Sequence, residues 1–149
     1  MEEQQEIKVI GCDIGGVVRN LQEDKPFPDS IEILEELSKN YKIIFISKCK
    51  QHFKMSSENF LKTNGLDKYP VYYCQDYYEK IGIAKKKNVS IMIDDLMKVL
   101  STFPPTIMKI WVCDDQKKID GASKFQKEFY DSVKLTRNWK EIKKLLMSE

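Results

Sequence analysis

No apolar run in this sequence approaches the ~18 residues that a membrane-spanning helix needs. Its first residues, Met1-Glu2-Glu3-Gln4-Gln5-Glu6, lack the basic and apolar regions of a secretory signal. A soluble, cytoplasmic protein with no membrane partner is the expectation. Histidine is nearly absent, with His52 alone, and the four cysteines, Cys12, Cys49, Cys74 and Cys113, show no C-x-x-C spacing. A zinc centre or a disulfide framework is therefore not indicated, and cysteines in or just after apolar runs read as small buried thiols. A charge excess is lacking too: 25 basic against 23 acidic residues leave a formal +2, which gives nucleic acid no specific support as a partner. Lysine runs such as Lys85-Lys86-Lys87 then read as solvated faces. There is no internal repeat, no low-complexity stretch and no Pro-, Gly- or Ser-rich linker between periodic regions. Residues 1–149 therefore read as one domain large enough for a real core.

What is present is alternation. Short, β-branched, bounded apolar segments occupy 7–13, 42–47, 70–74, 90–94 and 107–113, the character of buried parallel strands. Between them lie helical patterns over 29–40, 51–63, 77–87 and 95–102, and a last one over 138–146 closes the chain. In the first, Ile31, Ile33, Leu34 and Leu37 share a face behind Asp29-Ser30, a pair that can cap the N-terminus. The second pattern stops at Asn64-Gly65 and the fourth at Pro104-Pro105. Residues 114–130 fit a loop plus a short helix. Strands alternating with helices predict an α/β fold, a doubly wound, mainly parallel five-stranded sheet with helices on both faces.

Acids end two of these strands. Ile7-Lys8-Val9-Ile10-Gly11-Cys12-Asp13 turns at once on Ile14-Gly15-Gly16, and Ser90-Ile91-Met92-Ile93 runs into Asp94-Asp95. If the first and fourth strands are neighbours, Asp13, Ser47, Asp94 and Asp95 gather at the C-terminal edge of the sheet, where open α/β folds build their sites. Three carboxylates a few ångström apart repel by several kcal/mol at intermediate dielectric, so a divalent cation or protonation must relieve them. Oxygen-only ligands favour a hard metal, and Mg²⁺ takes few carboxylates and completes its shell with water and phosphate. Backbone amides after Asp13, where glycines let a ligand approach, suit a phosphate, and lysines upstream of Asp94 offer it positive charge.

These residues resemble the haloacid dehalogenase (HAD) superfamily of phosphohydrolases. Its first motif, an apolar strand ending D-x-D-G-x-x, is similar to Asp13-Ile14-Gly15-Gly16-Val17-Val18 except at the second Asp. The second motif, a strand ending in Ser or Thr, resembles Ile43-Ile44-Phe45-Ile46-Ser47. The third, a Lys shortly before the fourth strand, is best matched by Lys80, with Lys85 next, and the fourth by Ile91-Met92-Ile93-Asp94-Asp95. The resemblance spans about residues 7 to 147. It implies a Mg²⁺-dependent phosphatase in which Asp13 takes the phosphoryl group as an aspartyl-phosphate and ligates the metal. Ser47 and Lys80 would hold the phosphoryl oxygens, with Gly15 and Gly16 lining the phosphate site. Asp94, Asp95 and the Gly15 backbone carbonyl would complete the metal site.

Gly15 departs from the pattern. In the family the second Asp protonates the leaving group and then activates water, help typically worth ~10² to 10⁴ in rate. The resemblance then leaves a phosphatase limited to good leaving groups, or one borrowing an acid from Glu23, Asp24, His52, Asp114 or Asp115. The alternative is a catalytically degenerate HAD-like domain that binds phosphate or a protein partner without turnover. Dehalogenation is disfavoured because it normally goes with a helical cap, and about ten residues, Arg19 to Pro28, separate the first motif from the first helix. The expectation is a capless, open site for a phosphorylated substrate, macromolecular ones included.

Overall fold

The computed structural model describes residues 6–147. Strand β1 (Val9–Cys12) leads into a small hairpin of β2 (Arg19–Asn20) and β3 (Lys25–Pro26), then α1 (Ser30–Leu37) and β4 (Lys42–Lys48). A 3₁₀ turn over Gln51–Phe53 opens α2 (Lys54–Thr63), followed by β5 (Val71–Cys74), α3 (Tyr77–Lys86) and β6 (Val89–Asp94). The chain ends through α4 (Met97–Leu100), β7 (Met108–Val112), α5 (Gln116–Phe125), α6 (Lys127–Ser132), β8 (Lys134–Thr136) and α7 (Trp139–Met147).

The main sheet is six-stranded, in the order β5-β4-β1-β6-β7-β8, and every pairing in it is parallel. The α/β doubly wound expectation holds, and the sheet gains a sixth strand at its edge. Lys134-Leu135-Thr136 escapes sequence reading because it is too short and too polar to make an apolar run. Along the strands, alternate residues face opposite sides. Ile10, Ile43, Phe45, Ile91 and Ile93 pack with Leu34 of α1, Phe60 of α2 and Trp139 of α7. Val9, Ile44, Ile46 and Met92 pack with Ala84 of α3, Leu100 of α4 and Ile119 of α5. Both faces are thus covered, as a parallel sheet requires.

Local chemistry explains most boundaries and corrects one. Asp29 does not cap α1: its backbone is left-handed at φ 66°, away from the extended conformation of a capping residue, and its side chain makes no cap bond. Asp76 does cap α3, from an extended backbone, accepting from the Glu79 amide at 3.0 Å. After α2, Gly65 takes φ 70°, and the Leu66 amide returns to the Leu61 carbonyl at 2.8 Å. Residues 114–130 hold two helices rather than a loop and one, with α5 and α6 meeting at Gln126. Among the described residues, no helix is long and apolar enough to cross a membrane.

Candidate active site

The connection after β1 runs to β4 on one side of it, and β6 lies on the other, so the strand order reverses between β1 and β6. A crevice opens at such a reversal, beyond the carboxyl ends of the strands. Asp13 and Asp94 follow or end those two strands, and the Asp13 amide extends their ladder by donating to the Ile93 carbonyl at 3.0 Å. Lys80 projects from α3 between the two acids. Its Nζ is 2.9 Å from Asp94 Oδ2 and 3.3 Å from Asp13 Oδ1, with the lysine only 1% exposed. Lys85, further along α3, is exposed, so Lys80 is the lysine that reaches the acids.

Each acid is held from behind. Asp94 is completely buried, and its Oδ1 accepts from the Leu96 amide at 3.0 Å. The Asp13 carboxylate accepts from the Ile14 amide at 2.9 Å. Asp95, half-buried, has its backbone carbonyl fixed by the Trp111 indole at 3.1 Å. Its carboxylate presses on Gly16, where any Cβ would collide with it and where φ is 82°. Both constraints call for glycine. The Gly16 amide donates to the Arg19 carbonyl at 2.9 Å. Of the backbone amides after Asp13 expected to meet a phosphate, that of Gly16 is thus engaged, and Gly16 contributes room for Asp95. From α7, the Trp139 indole donates to the Val17 carbonyl at 2.9 Å and clamps the same turn.

Asp13, Gly15, Gly16, Ser47, Lys80 and Asp95 line one cavity of about 700 Å³. Carboxylate oxygens of Asp13, Asp94 and Asp95 all lie within 4.8 Å of one another. Burial raises the Asp13 carboxyl to about 8, and Asp94 and Asp95 add to the rise against Lys80. Burial and then Asp94 raise Asp95 to about 6. Burial pulls the Lys80 ammonium down, but Asp13 and Asp94 outweigh it and hold the ammonium above its ordinary value. One lysine thus leaves the negative charge of three carboxylates only partly compensated. Oxygen donors that are clustered, undercompensated and partly open to a cavity fit a hard divalent cation such as Mg²⁺.

The residues named as substitute acids lie elsewhere. None of Glu23, Asp24, His52, Asp114 and Asp115 lines the cavity. Asp24 pairs with Arg19 at 2.8 Å, Asp114 with Arg137 at 3.4 Å, and Asp115 caps α5. Sequence reasoning also missed residues that shape the site. Trp111 and Trp139 act through single indole bonds that no periodicity reveals, and Leu21 reaches the cavity only through the β2–β3 hairpin.

The chain superposes on the crystal structure of a D,D-heptose 1,7-bisphosphate phosphatase from Burkholderia thailandensis with a TM-score of 0.70. The match covers 95% of this chain and 99% of that one, at 11% identity. The two chains share a fold over nearly their whole length. A de novo designed Rossmann 3x3 protein is also similar, with a TM-score of 0.51 at 16% identity, covering 96% of this chain and 94% of that one. Both likenesses are of fold alone, since so few residues are shared. No family model matches the chain, and no curated protein does.

Proposed function

We propose that this HAD-like chain is a Mg²⁺-dependent phosphoric ester hydrolase that works through Asp13, in a single domain without an inserted cap. The observation that carries the reading is Lys80 buried between Asp13 and Asp94 at 3.3 and 2.9 Å, at the floor of a cavity lined by Ser47 and Asp95. A Lys and a Ser beside a carboxylate at a strand end suit a dianionic phosphoryl group approaching that carboxylate.

In this reading Asp13 attacks phosphorus, the ester oxygen departs with its electron pair, and an aspartyl-phosphate forms on Asp13. Lys80 and Ser47 hold the phosphoryl oxygens during the transfer. Asp13, Asp94, Asp95 and the Gly15 carbonyl would hold Mg²⁺, which when bound supplies positive charge against the phosphate and keeps Asp13 ionised. Water then cleaves the acyl-phosphate bond, releasing phosphate and restoring the carboxylate.

The test is phosphate release with Mg²⁺ from a panel of phosphate esters and acetyl phosphate, run on wild type and Asp13→Asn together. The expected result is release by wild type and a loss of at least about 10³-fold in Asp13→Asn, the scale of removing a nucleophile. Equal release by the two proteins, or none from any compound, would sink the reading.

A further inference from the structure

Where a side chain on Gly15 would project, its nearest neighbour is apolar. A Cβ on Gly15 would meet Leu21 at 3.3, 3.6 and 3.7 Å, and its three nearest neighbours are all Leu21 atoms. No titratable group fills that place, and the five acids considered above lie outside the cavity. A departing oxygen near Gly15 therefore meets leucine where an acid at position 15 would stand. Phenols ionise near 10, and water-like hydroxyls near 16, so a phenolate can depart with much less help than an alkoxide.

The mouth of the cavity adds a second, independent observation. Leu21, Phe53 and Tyr77 line it, with Leu21 and Phe53 66% and 55% exposed. Aromatic and branched side chains held open to solvent suit the flat face of an aryl ring. Lys48 and Lys50 line the same mouth and form no ion pair among the described residues. Lys48 rests over the Tyr77 ring at 4.3 Å, which leaves its ammonium beside the aromatic wall.

Resting on the phosphatase reading above, we infer that the substrate is an aryl phosphate whose body carries a further negative group. The ring lies against Phe53, Tyr77 and Leu21, and the second anion meets Lys48 and Lys50. Asp13 forms the new bond to phosphorus while the bond from phosphorus to the phenolic oxygen breaks, and phenolate leaves with the electron pair. Hydrolysis of the aspartyl-phosphate consumes one water and releases one proton, which the phenolate takes up. The products are a phenol and inorganic phosphate, and no donor at position 15 is needed.

The experiment compares kcat/KM, with Mg²⁺, for substituted phenyl phosphates, a carboxyphenyl phosphate, glycerol phosphate and acetyl phosphate. Aryl esters should exceed the alkyl ester by at least about 10²-fold, with rates falling as the phenol becomes less acidic. Gly15→Asp combined with Leu21→Ala, set against Leu21→Ala alone, should raise the alkyl rate at least about tenfold and shrink the aryl preference. Phe53→Ala should raise KM for aryl esters more than for acetyl phosphate. Lys48→Ala with Lys50→Ala should raise KM more for the carboxyphenyl ester than for phenyl phosphate. Free phosphotyrosine is then run against a phosphotyrosyl peptide with acidic flanks. Either preference between them supports the inference and names its source as a small molecule or a polypeptide. Alkyl and aryl esters turned over alike by wild type, or an alkyl rate no higher in the double variant than in Leu21→Ala, would overturn the inference and leave the phosphatase reading standing. No release from any compound, acetyl phosphate included, would overturn the phosphatase reading itself.

Discussion

Lys80 is the residue on which the site's electrostatics balance. It is buried, it touches two carboxylates, and a third lies close by. Removing one partner of a buried ionic group leaves the others uncompensated, a loss of about 3 to 5 kcal/mol. Lys80→Met keeps the volume and removes the charge, so metal-free protein should lose about that much stability in urea at pH 8. The loss should shrink at pH 5, below the raised values of Asp13 and Asp95. A Lys80→Met protein as stable as wild type at pH 8 would mean that the lysine is not compensating Asp13 and Asp94. At this scale the sequence was informative about type and poor about contact. Asp13, Ser47 and Asp94-Asp95 are legible because strand ends project into one crevice, whereas Lys80 on α3 is singled out by the resemblance. Leu21 over Gly15 is not legible, because a contact across a hairpin has no periodic signature.

Elements set where those residues sit, and their ends matter more than their middles. Asp76 caps α3, the helix that carries Lys80, whereas Asp29 only adjoins α1. Asp76→Ala should therefore cost about 1 kcal/mol of unfolding free energy. Asp29→Gly should cost nothing or stabilise slightly, because glycine accepts the left-handed backbone without a Cβ penalty. Chemical denaturation of both variants checks the pair, and a larger loss for Asp29→Gly would contradict the capping assignment. Asp29-Ser30, read as a cap from the sequence, and Asp76-Tyr77, where the structure places one, each stand before a helical pattern. The backbone angle and the side-chain bond to the Glu79 amide separate them, and neither is visible in the sequence. Strand β8 is a similar case, since pairing with β7 makes a strand of three residues that carry little strand character alone.

Across the whole molecule, the site's charge is coupled to folding. Asp13 titrates at about 8 when folded against an ordinary 3.8, and Asp95 at about 6. A folded state that holds protons more tightly than the unfolded chain is favoured at low pH and loses that advantage as pH rises through the folded value. This contribution is therefore fully present below about 3.8 and declines between there and about 8 in metal-free protein. Mg²⁺ should raise the melting temperature more at pH 8 than at pH 5, and Asp13→Asn should flatten the metal-free decline. Calorimetry of both proteins with and without Mg²⁺ reads this directly, and a wild-type slope of opposite sign would contradict the buried-acid account. The alternation of apolar strands and amphipathic helices determined the α/β class by itself, because burial on two faces demands that pattern. The same sequence marked the acids and the glycine that departs from the HAD pattern. Only tertiary structure decided that β1 and β6 are neighbours, that Lys80 rather than Lys85 enters the site, and that Leu21 is the neighbour over Gly15. Those outcomes depend on strand order, helix register and hairpin path, which arise from the packing of segments far apart in the chain.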